Sequence, residues 1–167
     1  QRGLGDILSK LTLIIVLGTA IGVLLERNGS TAIMAGFILR LVGEKRSPLA
    51  LSITGFIVGL PIFCDSGYIV LNGINRSLAK RAGIAMAVTS VSLGSGLYAV
   101  HCLLPPHPGA TAAAAAIGAD VGRLILYGIL IAIPAMVAGY AWARYAGGTK
   151  RMKEAEEESV QSIPTGR

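Results

Sequence analysis

Residues 59–67 read GLPIFCDSG and set an aspartate inside an apolar stretch. From Ser47 to Asn75 there are 29 positions, and Asp65 is the only charged one. Pro61 stands before it and Gly67 after it. How this segment meets a lipid bilayer decides the fold.

The chain around it is 53% hydrophobic and 14% charged, against about 25% charged in an ordinary soluble domain. Residues 7–25 carry one charge, Lys10, and residues 82–119 and 124–143 carry none. Each block reaches the roughly 18 to 20 apolar residues that a spanning helix needs. None reads as a secretory signal, because the chain opens on Gln1, lacks the usual basic leader and shows no cleavage site after Leu25. That opening is what a piece of something longer would show. The net charge of +6 comes from short clusters between apolar blocks, without the interleaved aromatics of a nucleic-acid face, so no nucleic-acid partner is expected. Cys64 and Cys102 lie in apolar segments without metal-ligand spacing. They read as small buried hydrophobes rather than a zinc site or a disulfide.

Lysine and arginine gather in loops that stay cytoplasmic. The clusters are Arg40 with Lys45 and Arg46, Arg76 with Lys80 and Arg81, and Arg144 with Lys150, Arg151 and Lys153. If all face the cytoplasm, the segment 47–78 must enter and leave by the same side, as a re-entrant hairpin. Its arms, Pro48 to Leu60 and Ser66 to about Leu78, are each too short for a hydrocarbon core of about 30 Å at about 1.5 Å per residue. They meet halfway, at 61–65. A bend at that depth is tolerated only where protein or a wet cavity surrounds it, so Asp65 is expected to face a site rather than lipid.

The block 83–119 is interrupted by HCLLPPHPG at 101–109. Pro105, Pro106 and Pro108 each remove an amide donor and clash with the preceding turn, which predicts a broken spanning helix. Spans at 7–25 and 121–143, an interfacial helix at 30–42 and a polar tail or linker at 148–167 complete an all-α, polytopic membrane protein. GTAIG at 18–22 has the small-residue spacing of close helix packing. Tyr140, Trp142 and Tyr145 beside Arg144 read as an interfacial belt, and Pro134 as a bend in the last span.

A half-helix beginning inside the membrane directs unsatisfied N–H groups and the positive end of its dipole at what lies beyond it, and anions bind there. One start is expected at Ser66 and Gly67, capped by Asp65 or Ser66, and another at Gly109 to Thr111. Gly67 and Gly109 would allow close backbone approach or a positive φ. Ser66 and Thr111 add hydroxyl donors, and His101 and His107 can serve substrate hydroxyls or relay protons. A carboxylate beside a bound organic anion in a low dielectric favours its neutral form, which makes Asp65 the expected proton-coupling group. Plainer readings are that Asp65 only caps, that the histidines satisfy carbonyls freed by the prolines, and that the prolines only kink. Ser52, Thr54, Thr89, Ser90, Ser92 and Ser95 are expected to bond within their own helices or to bridge neighbours.

RSPLALSITGFIVGLPIFCDSGYIVL, residues 46–71, and GLYAVHCLLPPHPGATAAAAAIGADVGRLI, residues 96–125, resemble the gluconate permease family of bacterial proton symporters. The resemblance runs from about Gly3 to Tyr145, specific in the two motifs and hydropathic elsewhere. It implies uptake of gluconate or a related sugar acid or hydroxy acid with protons, in a multi-pass protein of the bacterial cytoplasmic membrane. It also implies a longer chain whose second half has a similar build. Asp65, His101, Pro105, Pro106, His107, Pro108 and Gly109 match its motif positions; Ala110 stands where many relatives carry another proline. No cofactor or metal is called for, and a homo-oligomer is compatible with the pattern. Readings from other classes are a non-transport structural membrane subunit, with the interruptions lying apart, and an intramembrane hydrolase built from Ser66 or Cys64 with His101 and Asp65. A carrier or enzyme with metal on Cys64, His101, Cys102 and His107 is a third.

Overall fold

The computed structural model describes residues 27–43 and 46–147, with only isolated positions before Arg27. The expected span at 7–25 is described only in part, and most of its GTAIG motif and the tail at 148–167 lie outside the described residues. What is described is helical, with no strand: α1 (Ser30–Val42), α2 (Ser47–Gly59), α3 (Cys64–Ala82), α4 (Met86–Leu103), α5 (Pro108–Ile117) and α6 (Val121–Gly147).

No single rod passes through position 65. Pro61 follows the last turn of α2, and the chain reverses over 60–63 into α3. Both hairpin arms lie along α4. A Cβ added at Gly55 would come 2.5 Å from the Leu93 carbonyl, and one at Gly96 would collide with the Ser52 carbonyl and the Phe56 amide. These glycines let α2 and α4 touch backbone to backbone, and their order makes the two helices parallel. α3 returns antiparallel: Gly67 packs on Leu97, and Asn75 Nδ2 donates to Ser90 Oγ at 2.9 Å. Leu51, Val58, Leu71, Leu93 and Leu97 fill the core between these arms, with Ala35 of α1 at its side.

At the far end of α3, Gly83 adopts φ 62°, a left-handed cap that glycine adopts at no steric cost. Its amide and that of Ile84 bond back to the Lys80 and Ala79 carbonyls. α6 runs antiparallel to α4, with Gly128 against Leu103 and Leu104, Gly139 against Ser95 and Gly147 against Val88. Its start is held by Asp120, which accepts from the Arg123 amide at 2.8 Å. Gly128, Ala132, Met136 and Ala143 form its buried face, while Leu126, Leu130, Ile133 and Trp142 stand exposed. An apolar exterior over small packed residues is the arrangement of a helix in lipid. At about 1.5 Å per residue α6 is about 40 Å long, and the stretches 86–117 and 121–147 are long and apolar enough to cross a membrane.

These registers bring Arg46, Lys80, Arg81 and Arg144 to one end of the bundle, and they put the hairpin tip beside the break between α4 and α5. Thr89, Ser92 and Ser95 bond back to carbonyls of their own helix, and Ser90 bridges to Asn75. Ser52 and Thr54 differ from expectation: both hydroxyls are buried without a partner among the described residues. Cys64 is a buried small hydrophobe, whereas Cys102 is exposed.

Candidate functional site

Local chemistry explains both interruptions. Leu104 precedes Pro105 and His107 precedes Pro108, and a residue before proline is driven out of the helical region. Their observed φ, ψ of −121°, 137° and −63°, 135° are extended. α5 then starts on Pro108, where a missing amide costs nothing. On the hairpin side Phe63 is extended at −61°, 141° and α3 starts on Cys64. Both half-helices therefore begin slightly earlier than expected, and neither has a side-chain cap. Asp65 and Ser66 are not caps; they sit inside the first turn of α3, behind Phe63. Gly67 and Gly109 do not take positive φ.

The residues that precede the two helices meet. Phe63 and His107 have ring centroids 5.6 Å apart, and His107 lies 4.3 Å from His101. Tyr98 joins this cluster at 6.1 Å from His101, one helical turn along the same face. Buried His107 spans the joint: its Nε2–H donates to the Gly59 carbonyl at 3.1 Å. A carbonyl can only accept, so the proton sits on Nε2. The Nδ1 atoms of His107 and His101 are buried and have no partner among the described residues. The amides of Cys64 and Ser66 on α3, and of Gly109 and Ala110 on α5, have no backbone acceptor among the described residues, while the Asp65 amide faces the Cys64 sulfur.

Asp65 points elsewhere than at the histidines. It is exposed and lines a cavity of about 340 Å³ between α3 and α4, with Cys64, Tyr68, Gly94, Leu97 and Tyr98. The Cys64 thiol lies 3.7 Å from its Oδ1. Tyr98 borders this cavity and touches His101, so it connects the acid to the histidine pair. Ser66 is half-buried and makes no hydrogen bond to either histidine among the described residues. Gly67 is buried because a Cβ there would stand 2.9 Å from Leu97 Cδ2, so its smallness serves packing. Gly109 faces open space. Thr111 gives its hydroxyl proton to the His107 carbonyl at 2.8 Å, inside its own helix. No three His, Cys, Asp or Glu side chains among the described residues are placed to share a metal ion. Phe63 and Tyr98 escaped the sequence reading; the spacing of Tyr98 three residues before His101 is the signal that could have found it.

Residues 1–165 match the model of the GntP family permeases. The chain belongs to that family. Among curated relatives, a gluconate permease of Pseudomonas aeruginosa is 34% identical over 99% of this chain and 39% of its own length. The inner membrane permease YgbN of Escherichia coli is 38% identical over 85% of this chain and 31% of its own. The Gnt-II system L-idonate transporter of Escherichia coli is 34% identical over 82% and 31%. The chain thus spans between three and four tenths of the length of these relatives. No solved structure matches it. As a GntP family permease it is a membrane protein.

Proposed function

We propose that this chain is one half of a proton-coupled symporter for gluconate or a related sugar acid, multi-pass in the bacterial cytoplasmic membrane. One observation carries the reading: two neighbouring helix starts leave the amides of Cys64, Ser66, Gly109 and Ala110 without backbone acceptors among the described residues, where His107 ties the hairpin tip to the proline break. Unpaired amides at helix N-termini suit a carboxylate. The free Nδ1 of His107 is an acceptor when Nε2 carries the proton, which suits a substrate hydroxyl. Gluconate and L-idonate, named by the relatives, are both polyhydroxy carboxylates.

In the membrane, α2 at about 20 Å is too short to cross a core of about 30 Å, which supports a hairpin that enters and leaves by the basic end of the bundle. Trp142 and Tyr145, with ring centroids 5.9 Å apart beside Arg144, would mark that interface. Asp65, in the first turn of α3, is the coupling group: it binds a proton as the anion arrives and releases it on the inner side. A structural subunit predicts interruptions that lie apart, and the packing of Phe63 on His107 supports the transport reading instead.

The test is uphill accumulation of labelled gluconate in vesicles carrying the complete protein under an imposed proton gradient. Asp65→Asn is expected to abolish accumulation with membrane insertion intact. Undiminished uphill uptake by that variant would remove Asp65 from coupling, and failure of the unaltered protein to take up gluconate or any competing sugar acid would remove the substrate class.

A further inference from the structure

At the basic end of the bundle, away from the joint just described, a cavity of about 380 Å³ opens between the last turns of α3 and the start of α4. Arg76 and Lys80 line it from one face of α3, a turn apart, and Gly83, Ile84 and Met86 complete its wall. Among the described residues no carboxylate borders it and neither cation forms an ion pair. Last-turn cations often serve only to offset a helix dipole or to cap its carbonyls. Here the Ala79 and Lys80 carbonyls are already bonded by the Ile84 and Gly83 amides, and Arg76 stands a full turn earlier, facing the same space. Met86 begins an 18-residue helix, so the positive end of the α4 dipole adds to the field of the two side chains.

We propose that this cavity is a phosphate site for the headgroup of an anionic phospholipid. Two unpaired cations and a helix start match a phosphodiester, and Ile84 and Ala79 supply an apolar wall where the glycerol backbone enters the bilayer. The outward stripe of α3 continues from Lys80 and Arg76 to exposed Gly73, where the upper part of an acyl chain lies, a turn short of Ile69 and the Asp65 cavity that it lines. The site uses none of the groups assigned to the sugar acid. Loss of transport in an Asp65 variant therefore leaves it standing, and its own failure leaves transport standing.

The complete protein, purified in a neutral detergent and placed in vesicles of phosphatidylcholine with or without phosphatidylglycerol, tests the assignment. Phosphatidylglycerol is expected to be retained through native mass spectrometry and to raise the unfolding temperature. Arg76→Gln/Lys80→Gln is expected to bind it about 30-fold more weakly, the sum for two interfacial cations. The charge-conserving Arg76→Lys/Lys80→Arg is expected to keep most of the binding, which separates lost charge from lost folding. Equal retention of phosphatidylglycerol by the unaltered protein and the Gln variant overturns the site. Millimolar inorganic phosphate in phosphatidylcholine vesicles is the second arm. Stabilisation by phosphate equal to that by phosphatidylglycerol overturns the lipid source and identifies a free anion on the same cations.

Discussion

The two half-helices that meet at the joint begin alike and are held very differently. α3 starts on Cys64 and α5 on Pro108, each after an extended residue and without a side-chain cap. From there α3 buries Cys64, Gly67, Leu71, Asn75, Leu78 and Ala79, while α5 buries only Ala114. One is bolted to α4 by close glycine packing and an amide–hydroxyl bond. The other rests on His107, through its bond to the Gly59 carbonyl and the Thr111 hydroxyl that folds back on it. Local stability follows the density of buried contacts, so among the described residues α3 is the firmly held wall of the joint and α5 the weakly held one.

The sharpest way to break this contrast is to disturb the contact between α2 and α4, on which the hairpin that carries the wall rests. Gly96→Ala puts a methyl group against the Ser52 carbonyl and Phe56 amide, backbone atoms that cannot rotate away. Overpacking of a core costs about 1 to 3 kcal/mol, and collision with backbone belongs at or above the top of that range. The expected result is loss of monodisperse protein in size-exclusion chromatography. Gly109→Ala, facing open space, is expected to leave that profile unchanged. If both variants fold equally well, the backbone contact between α2 and α4 does not position the hairpin.

A smaller and more selective effect is expected from His107→Ala. It removes the donor to the Gly59 carbonyl and leaves that acceptor buried, at about 1 to 3 kcal/mol. The informative readout is hydrogen exchange. Amides of 108–117 should lose protection while those of 67–80 keep theirs. Parallel loss in both segments would make the joint one rigid body and erase the asymmetry.

Much of this arrangement is legible in the sequence because it rests on residues with few conformational options. Pro105, Pro106 and Pro108 forbid a continuous helix, and the basic clusters on either side of 47–75 demand a reversal that Pro61 and its neighbours provide. Helix starts are less legible. Cys64 and Phe63 carry no capping signature, and the capping types Asp65 and Ser66 draw the expected boundary too far along. Contacts between helices are the least legible. Nothing local says that Tyr98 borders the Asp65 cavity, that Cys102 is exposed, or that Gly67 is small for the sake of Leu97. The Thr111 hydroxyl shows the same limit, since a residue type suited to a ligand is also suited to its own helix carbonyl.

The smallest expected effect bears on the fixed wall alone. Asn75 is fully buried, and its Nδ2 donates to Ser90 Oγ at 2.9 Å, joining α3 to α4. Hydrogen bonds between helices in a membrane protein average about 0.6 kcal/mol in double-mutant cycles, because the alternative state finds partners of its own. Here the Asn75 Oδ1 also lacks a partner among the described residues, so the side chain is only half satisfied and the net gain should not exceed that average. The cycle of Asn75→Ala, Ser90→Ala and the double variant, read by unfolding in detergent, should return a coupling of about 0.6 kcal/mol or less. A coupling well above 1.5 kcal/mol would move the anchoring of α3 from glycine packing to this polar contact, and the contrast with α5 would then rest on one hydrogen bond against another.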